Sequence, residues 1–364
     1  MSTFVLMAGG TGGHLFPAMA LAQELRRRGH IIHLMTDHRV TGYGDRFPAT
    51  QTHIVPSATP SVGDPARFVV AGFTILWGIL VGWTKLLGIK ADAVVGFGGY
   101  PVYPPFVAAS LSGLPGVLHE QNAVMGRANR ALARFARVLA LSFERTAKAE
   151  SYADKSLLVG NPVRDRVRAV ADMPYPGIGD SLWLLVFGGS QGARAFAELV
   201  PPAIAELPPA LRSRLRVTQQ CRPEDLDRVA EVYRQAKVNV ELSAFFDDLP
   251  ERMAQSHLVI SRAGASTIAE LTAIGRPAIL VPLPGAIDAD QKNNALVVEA
   301  AGGGWVAEQA TLSPHSLGTR LAQLFEEPQA LQKAAAAAKS LGQPEAVTKL
   351  ADIAEALAGR GKAT

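Results

Sequence analysis

Two glycine-rich turns are the residues in this sequence best suited to do chemistry. Gly9–Gly13 reads Gly-Gly-Thr-Gly-Gly and Gly188–Gly192 reads Gly-Gly-Ser-Gln-Gly, and each lies between a short apolar run and a helical pattern. Glycine permits positive φ and lets backbone N–H groups approach a ligand, and a helix N-terminus favours negative charge. Each turn therefore predicts either a phosphate-binding loop or a tight strand-to-helix turn that needs glycine for steric reasons alone.

His14, directly after the first turn, is a candidate general base. An unperturbed histidine titrates near about pH 6.5, which suits it to accept a proton from a substrate hydroxyl. The alternative is that His14 caps the turn by bonding to the backbone. A second polar group, His119-Glu120-Gln121-Asn122, follows another predicted strand. It either supplies the base or braces the loops around His14.

Arg164 and Glu270 are candidate ligand contacts at two further strand ends. Arg164 closes the motif Gly160-Asn161-Pro162-Val163-Arg164. Its guanidinium suits a forked contact to a diphosphate, but a surface arginine after a turn fits the pattern equally well. Glu270 closes the segment Arg262–Glu270, in which Thr267 with Glu270 also fits a capping box. Glu270 thus either satisfies a helix N-terminus or accepts hydrogen bonds from a ribose diol.

The segment Asp288–Ala295 offers carboxylates and amides. Asp288 and Asp290 form an Asp-x-Asp pair that could hold Mg²⁺ on a nucleotide diphosphate. Arginine and helix dipoles already supply positive charge nearby and no third oxygen ligand is evident, so we expect no metal. Gln291 and Asn294, three residues apart at a helix start, could instead offer amides to sugar hydroxyls.

Strand and helix patterns alternate along the whole chain, which predicts parallel sheets covered by helices on both faces. A Pro- and Gly-rich stretch over residues 170–180 reads as a linker, and a second α/β unit follows from Ser181. The fold class is therefore α/β, with two doubly wound, Rossmann-like domains expected to face each other across a deep cleft, where ligands bind at the strand ends. The predicted strands are residues 4–8, 93–96, 116–119, 138–142, 157–159, 182–187, 216–219, 258–261 and 278–281.

Composition bounds the class of protein. With 364 residues, 48% hydrophobic and 19% charged, the chain is globular and long enough for two domains. The single cysteine, Cys221, excludes an internal disulfide framework and a cysteine-cluster zinc site, and with no visible secretory signal it suits a reducing cytoplasm. The absence of a His-Glu-x-x-His helix and of a Walker lysine argues against a zinc protease and a P-loop ATPase.

Two segments indicate contact with a membrane surface. Residues 68–83 are uncharged and mostly apolar, but this run is shorter than the ~20 residues that span a bilayer and contains three glycines. A buried helix or one lying in the membrane interface is therefore expected. Four arginines recur at helical spacing over Arg127–Arg137, which predicts one basic helix face, either merely solvated or attracted to anionic headgroups. No aromatic-and-basic motif accompanies them, so no nucleic acid is expected.

Taken together, the motifs resemble the MurG family of peptidoglycan N-acetylglucosaminyltransferases, which have the GT-B architecture. The match runs through almost the whole chain in order. It comprises Gly9–Ala18 (Gly-Gly-Thr-Gly-Gly-His-Leu-Phe-Pro-Ala), Gly96–Pro101 (Gly-Phe-Gly-Gly-Tyr-Pro), Leu118–Asn122 (Leu-His-Glu-Gln-Asn), Gly160–Arg164, Gly188–Arg194, Phe245–Leu249 (Phe-Phe-Asp-Asp-Leu), Arg262–Glu270 and Asp288–Ala295.

The resemblance implies transfer of N-acetylglucosamine from UDP-N-acetylglucosamine to the muramyl sugar of undecaprenyl-diphosphate-linked lipid I, with inversion, to make lipid II. It implies no cofactor and no bound metal, and a peripheral position on the anionic cytoplasmic face of the bacterial inner membrane. Residues 1–163 form the expected acceptor domain and 164–340 the UDP-sugar domain, with a final helix from about 341 to 360 packing back on the first.

The resemblance also assigns site residues. His14 is the family's candidate base, uracil lies near Phe246, the ribose lies by Glu270, and Ser190 holds the diphosphate. The implied donor contacts are Thr11, Gly12, Gly13, Asn122, Arg164, Ser190, the backbone of Phe246, Ala265, Ser266, Thr267, Ile268, Ala269, Glu270 and Gln291.

Two other functions fit the same two-domain pattern. A UDP-N-acetylglucosamine 2-epimerase would release the epimeric sugar nucleotide without a lipid acceptor. A non-catalytic scaffold that binds nucleotide sugar at a membrane would keep the glycine loops and have no need of His14.

Overall fold

The computed structural model describes residues 1–9, 12–40, 47–60, 63–189, 194–286 and 288–360. Over these residues the chain forms two α/β units. Unit 1 comprises Met1–Arg164 and the residues from Pro344 onward, and unit 2 comprises Asp165–Gln343. The final helix thus belongs to the first unit.

Each unit contains one parallel sheet. Within the described ranges, the sheet of unit 1 has the strand order β3-β2-β1-β4-β5-β6-β7 and that of unit 2 has the order β10-β9-β8-β11-β12-β13. The strands are β1 (Thr3–Met7), β2 (Ile31–Thr36), β3 (Gln51–Ile54), β4 (Ala93–Gly96), β5 (Gly116–Glu120), β6 (Val138–Leu141), β7 (Ser156–Leu158), β8 (Leu182–Phe187), β9 (Leu215–Gln220), β10 (Asn239–Ser243), β11 (Leu258–Ser261), β12 (Ala278–Leu280) and β13 (Gly304–Val306).

In the part of the chain that the structure describes, helices lie between most successive strands, and three more follow β13. They are α1 (Gly12–Arg27), α2 (Pro65–Ile89), α3 (Tyr103–Leu111), α4 (Arg127–Leu132), α5 (Asp165–Ala171), α6 (Arg194–Ala205), α7 (Pro209–Arg214), α8 (Leu226–Gln235), α9 (Leu249–Gln255), α10 (Ala265–Ile274), α11 (Asp290–Ala300), α12 (Pro314–Glu326), α13 (Pro328–Ser340) and α14 (Ala346–Arg360).

Strand β1 is buried on both faces because it lies in the middle of its sheet. Successive side chains of a strand point to opposite faces. Phe4 and Leu6 accordingly pack in the layer that includes α1 and α14, whereas Val5 and Met7 pack in the layer that includes α2 and α3. The continuous apolar run, rather than an alternating one, is typical of a parallel sheet covered on both sides.

The C-terminal helix α14 is also held to unit 1 by charge. Arg28 lies 2.6 Å from Asp352 and 2.7 Å from Glu355, and His30 Nε2 lies 2.6 Å from Glu355. These groups are partly exposed, so the apolar face of α14 packed on α1 carries most of the attachment.

The residues predicted as a linker are packed onto unit 2. Val170 and Ala171 lie in α5. Beyond them, the guanidinium of Arg276 donates to the Pro174 carbonyl at 2.9 Å, and the Tyr175 hydroxyl donates to the His257 carbonyl at 2.9 Å. The Pro- and Gly-rich composition is thus that of an ordered surface segment.

Helix α2 is longer and more exposed than the apolar run over residues 68–83 predicts. Its N-cap, Asp64, accepts a hydrogen bond from the Arg67 N–H, Pro65 occupies the first helical turn, and Lys90 ends the helix with a φ of 55°. Only 17% of its most apolar window is buried, and the mean hydropathy of that window is 1.7. The prediction of a buried helix is therefore wrong. By length and composition alone, α2 is long enough to cross a membrane.

The helix predicted over Arg127–Arg137 is wrong in extent, because α4 ends at Leu132 and a 3₁₀ turn follows. Lys155 Nζ donates to the Ala133 and Ala136 carbonyls at 2.8 and 3.1 Å, which satisfies the end of this segment. The strands β2, β3, β10 and β13 lie outside the predicted set. β3 and β10 are edge strands with polar, partly exposed residues, so they lack the apolar run that identifies the others.

Candidate active site

His14 lies in the first turn of α1, directly after the first glycine turn, and its side chain is half-buried. Its Nδ1 lies 3.2 Å from Oε1 of Gln121, in the loop that follows β5. Because β1 and β5 run parallel in one sheet, their carboxyl ends bring residues 107 positions apart into contact. Gln121, which the sequence predicts only as one of several bracing residues, is thus a hydrogen-bond partner of the candidate base.

His119 and Glu120 brace this loop rather than compete with His14. Both are fully buried. Burial lowers the pKa of His119 to about 4, so its imidazole is neutral, and its Nε2 lies 2.9 Å from the Gly160 carbonyl. The Glu120 carboxylate accepts from the N–H groups of Asn122 and Gly126 at 3.0 and 2.9 Å.

Asn122 and Asn129 complete the brace. The Asn129 side chain donates to Glu120 at 2.8 Å, and the Asn122 side chain donates to it at 3.3 Å. Burial raises the pKa of Glu120 despite these donors. Asn122 therefore has its position fixed through its own backbone and side chain, half-buried at the end of β5.

Two glycines of the Gly96–Pro101 motif make room for these groups. Gly98 and Gly99 have φ values of 81° and 80°, which an L side chain rarely adopts. A Cβ on Gly99 would lie 3.3 Å from Cδ2 of His14, and one on Gly98 would lie 3.1 Å from Oδ1 of Asn129. Glycine is required here both by conformation and by the approach of the two side chains.

Arg164 lies at the end of unit 1, beside the helix that carries His14. Its guanidinium carbon sits 4.8 Å from the centroid of the Phe16 ring, two residues after His14. A cation over an aromatic face is held with its planar fork oriented. Arg164 thus has an aromatic partner that the sequence does not identify, and its interpretation as a diphosphate contact stays a prediction.

In unit 2 the candidate donor residues Ala265–Glu270 form the start of α10. Gly264 is the N-cap and makes no side-chain cap, so Thr267 and Glu270 lie inside the helix and do not form the capping box that the sequence suggests. Glu270 is buried, 6% exposed, in the second turn. The Ser266 hydroxyl oxygen is buried and has no hydrogen-bond partner within the described part of the chain.

Phe246 lies in the connection between β10 and α9 and is buried. The guanidinium carbon of Arg252 stacks 4.5 Å from its ring centroid, while Arg252 also bonds Glu241 at 2.6 and 2.8 Å and Asp248 at 2.7 Å. These contacts fix the backbone on which Phe246 lies. Arg252 is one helical turn into α9, and nothing in the sequence marks it as part of a site.

Gln291 and Asn294 shape the loop before α11. Gln291 accepts from the Leu283 N–H at 3.0 Å and remains half-buried. Asn294 is fully buried and donates to the Ala263 carbonyl at 3.1 Å, so it braces the loop before α10. The prediction that its amide contacts sugar hydroxyls is therefore wrong. Among the residues described, no three His, Cys, Asp or Glu side chains lie close enough to hold a metal ion.

The remaining candidates belong to the two glycine turns. Gly12 and Gly13 form the first turn of α1, where Gly13 is exposed. Thr11 and Ser190 lie outside the described residues.

Comparison with known proteins identifies the family. Residues 4–140 match the N-terminal domain model of glycosyltransferase family 28, and residues 183–356 match its C-terminal domain model. The chain belongs to glycosyltransferase family 28, in its MurG branch. It is 49% identical over 356 residues to the UDP-N-acetylglucosamine--N-acetylmuramyl-(pentapeptide) pyrophosphoryl-undecaprenol N-acetylglucosamine transferase of Allorhizobium ampelinum, covering 97% of this chain and 95% of that one.

Further relatives agree. A transferase of the same name from Chelativorans sp. is 49% identical over 358 residues, covering 98% of this chain and 95% of that one. The crystal structure of Acinetobacter baumannii MurG superimposes with a TM-score of 0.79 at 30% identity, over 97% of this chain and 99% of that one. This glycosyltransferase therefore has the GT-B fold. A UDP-GlcNAc 2-epimerase from Neisseria meningitidis, at 16% identity and a TM-score of 0.67, shares the fold alone.

Proposed function

We propose that this enzyme transfers N-acetylglucosamine from UDP-N-acetylglucosamine to the muramyl 4-hydroxyl of undecaprenyl-diphosphate-linked lipid I, and so forms lipid II. The observation that carries the proposal is the position of His14 at the first glycine turn, held by Gln121, in a chain with full-length transferase relatives. An epimerase fold relative at 16% identity adds no support for epimerisation.

The chemistry is a single displacement at the anomeric carbon, which inverts it. The acceptor oxygen forms a bond to C1 as the bond from C1 to the UDP oxygen breaks, and the electron pair leaves with the diphosphate. His14 takes the hydroxyl proton, which keeps the attacking oxygen nucleophilic as the bond forms. Stabilising the charge that grows on the diphosphate lowers the barrier, because that charge exists mainly in the transition state.

The donor residues divide by chemistry. The start of α10 offers backbone N–H groups and the buried Ser266 hydroxyl to the nucleotide, and Glu270 offers a carboxylate to the ribose diol. The backbone at Phe246 holds uracil, and Arg164, already oriented by Phe16, supplies positive charge to the diphosphate. The other proposed contacts are Thr11, Gly12, Gly13, Asn122, Ser190, Ala265, Thr267, Ile268, Ala269 and Gln291.

A membrane partner explains the surface of α2, which presents nine exposed large apolar side chains. They are Phe68, Val69, Val70, Phe73, Leu76, Trp77, Leu80, Trp83 and Leu87, between 42% and 70% exposed. Such a patch in water indicates an interaction surface. Tryptophan suits the level of lipid headgroups, and exposed Arg67, Arg127, Arg134 and Arg137 suit anionic lipid.

In this proposal helix α2 lies on the membrane surface and does not cross the bilayer. Its buried residues Ala71, Gly78, Gly82 and Leu86 form a stripe along four turns that packs on unit 1. A Cβ on Gly78 would lie 2.9 Å from Pro104, and one on Gly82 would lie 3.1 Å from Pro105. This stripe packs α2 against α3 along its length. We therefore place the protein as a peripheral protein on the cytoplasmic face of the inner membrane.

The proposal is tested by supplying labelled UDP-N-acetylglucosamine with a lipid I analogue in vesicles and separating the products. Labelled disaccharide-lipid is the expected product. Free epimeric sugar nucleotide would indicate the epimerase, and binding of the donor without any product would indicate the scaffold.

A further inference from the structure

A chain of hydrogen bonds runs from His14 into the interior of unit 1. His14 Nδ1 lies 3.2 Å from Gln121 Oε1, Gln121 Nε2 lies 3.0 Å from His119 Nδ1, and His119 Nε2 lies 2.9 Å from the Gly160 carbonyl. Gln121 Nε2 also lies 2.8 Å from the Phe97 carbonyl. Each of the two buried side chains in this series, Gln121 and His119, is therefore also bonded to a backbone carbonyl.

The two carbonyls determine the direction of every bond. A carbonyl oxygen only accepts, so the Gln121 nitrogen faces Phe97 and its oxygen faces His14. That oxygen also only accepts, so His14 Nδ1 must carry the hydrogen. At the other end, Gly160 requires a hydrogen on His119 Nε2, which leaves the His119 Nδ1 lone pair to accept the second amide hydrogen of Gln121.

Burial makes this arrangement rigid. Gln121 is 1% exposed and His119 is 0% exposed. Turning the Gln121 amide over would set its oxygen against the Phe97 oxygen and leave buried polar groups unpaired, which is unfavourable. The pKa of His119, lowered to about 4 by burial, keeps that ring neutral and its Nδ1 available as an acceptor.

We propose that Gln121 and His119 are positioning residues that fix the tautomer of His14, with hydrogen on Nδ1 and the lone pair on Nε2. The inference rests on the proposed function, in which His14 takes the acceptor's proton, and names Nε2 as the atom that takes it. Gln121 holds the ring directly, and His119 holds Gln121.

The glycine at position 99 supports the same edge of the ring. A Cβ on Gly99 would approach His14 Cδ2 at 3.3 Å and Nε2 at 3.5 Å. Glycine at position 99 therefore leaves room for this edge of the His14 ring, which a side chain there would crowd. The Gly96–Pro101 motif, which phosphate binding does not explain, thus has a proposed role in positioning His14 for proton transfer.

The tautomer is measured directly by ¹⁵N NMR of protein labelled at its eight histidines, at a pH above their titration, with His14→Ala identifying the His14 signals. We expect the His14 spectrum to show hydrogen on Nδ1 and an unprotonated Nε2. Hydrogen on Nε2, or an average of the two tautomers, would overturn the proposal in the wild-type protein without recourse to a variant.

Two substitutions at one position supply the functional readout. Gln121→Met removes the acceptor at similar size, so the His14 tautomers should average and kcat should fall by about 10–100-fold, the cost typical of losing an orienting partner, with KM for UDP-N-acetylglucosamine within about twofold. Gln121→Glu keeps an oxygen toward His14 but sets its second oxygen against the Phe97 carbonyl, so it should restore the tautomer while recovering only part of kcat. Unchanged kcat and tautomer in Gln121→Met would contradict the inference.

The two proposals fail in different ways. Full turnover in His14→Ala would remove His14 as the base, whatever its tautomer. Loss of turnover in His14→Ala, together with normal kcat in a correctly folded Gln121→Met protein, would leave the base in place and remove the positioning role alone.

Discussion

The two units end their central strands in different polar groups. In unit 1, β5 ends in His119 and Glu120, both buried and both with pKa values shifted by burial. In unit 2, β11 leads into Arg262, whose guanidinium donates to the Val281 and Pro282 carbonyls, and buried Arg276 donates to the Ala254 carbonyl. The buried imidazole of His119 stays neutral at neutral pH, whereas a guanidinium keeps its charge.

This difference separates two tasks that similar sheets perform. Unit 1 places a neutral histidine and a buried carboxylate behind His14, which fixes the loop beside the proposed base. Unit 2 uses permanently charged side chains to fasten the loops that flank α10, which suits a fixed surface for a nucleotide. The two glycine turns are similar in sequence, but the buried polar side chains of the two units differ in charge.

Among variants of unit 1 that keep His14, we expect Gly99→Ala to have the largest effect on turnover. The new Cβ would press on the His14 ring, and we expect turnover to fall by about 100-fold, as small displacements of catalytic groups do. Gly29→Ala is the matched control, because Gly29 has a φ of 82° with nothing within 4 Å. Both variants should lose similar thermal stability, and equal turnover in the two would contradict the role of Gly99.

On the unit 2 side, Glu270→Ala should weaken UDP-N-acetylglucosamine binding by about 10–100-fold, since a hydrogen bond to a charged group contributes about 1.5–3 kcal/mol. The structure removes the helix-capping explanation for such a result, because Gly264 is the N-cap of α10. Glu224→Ala, at a largely exposed carboxylate, should leave affinity unchanged in the same titration. Normal donor affinity in Glu270→Ala would exclude the ribose contact.

The proposed membrane surface on α2 lies in unit 1, and its exposed apolar side chains can be changed without altering the candidate ligand residues. Phe73→Ser with Trp77→Ser should reduce sedimentation with anionic phospholipid vesicles by about tenfold, because each removes a large apolar contact. Leu157→Ser changes an apolar residue of comparable exposure on the edge strand β7 and should bind vesicles normally. Equal binding by both proteins would show that α2 is not the docking face.

The smallest effect concerns pH and stability. Burial, with the nearby charges of His33 and Lys85, lowers the pKa of His53 to about 4. In the unfolded chain His53 titrates near about 6.5, so the unfolded state binds more protons between these values and stability falls as pH decreases through that window.

Replacing this histidine should flatten that dependence. His53→Gln should lose about 1–3 kcal/mol less of its unfolding free energy than wild type between about pH 6.5 and 4, as urea unfolding at several pH values would measure. Parallel curves for the two proteins would mean that His53 titrates normally in the fold.

Much of the fold is predictable because apolar runs and glycine turns mark the central strands. β4, β8 and β11 begin and end where the sequence predicts. The edge strands β3 and β10 escape prediction because they are paired on one side only and carry polar residues. Hydrophobicity likewise cannot tell a buried helix from an exposed one, and α2 is exposed.

The sequence predicts candidate site residues better than it predicts the residues that contact them. The motifs predict His14, Arg164 and Glu270 as site residues, but the contacts around them come from tertiary structure. Gln121 reaches His14 because two parallel strands end at one edge of the sheet, and Phe16 lies under Arg164 only once α1 has formed. The capping pattern of Thr267 with Glu270 misleads because Gly264 starts the helix earlier.

The division of tasks between the units is tested most directly by measuring donor affinity and turnover on the same preparation of His14→Ala. We predict that UDP-N-acetylglucosamine binds with wild-type affinity by calorimetry, while turnover with a lipid I analogue falls by about 10²–10⁴-fold, the usual contribution of a general base. Weakened donor binding with proportionate loss of turnover, or unchanged turnover, would contradict the assignment of proton transfer to unit 1.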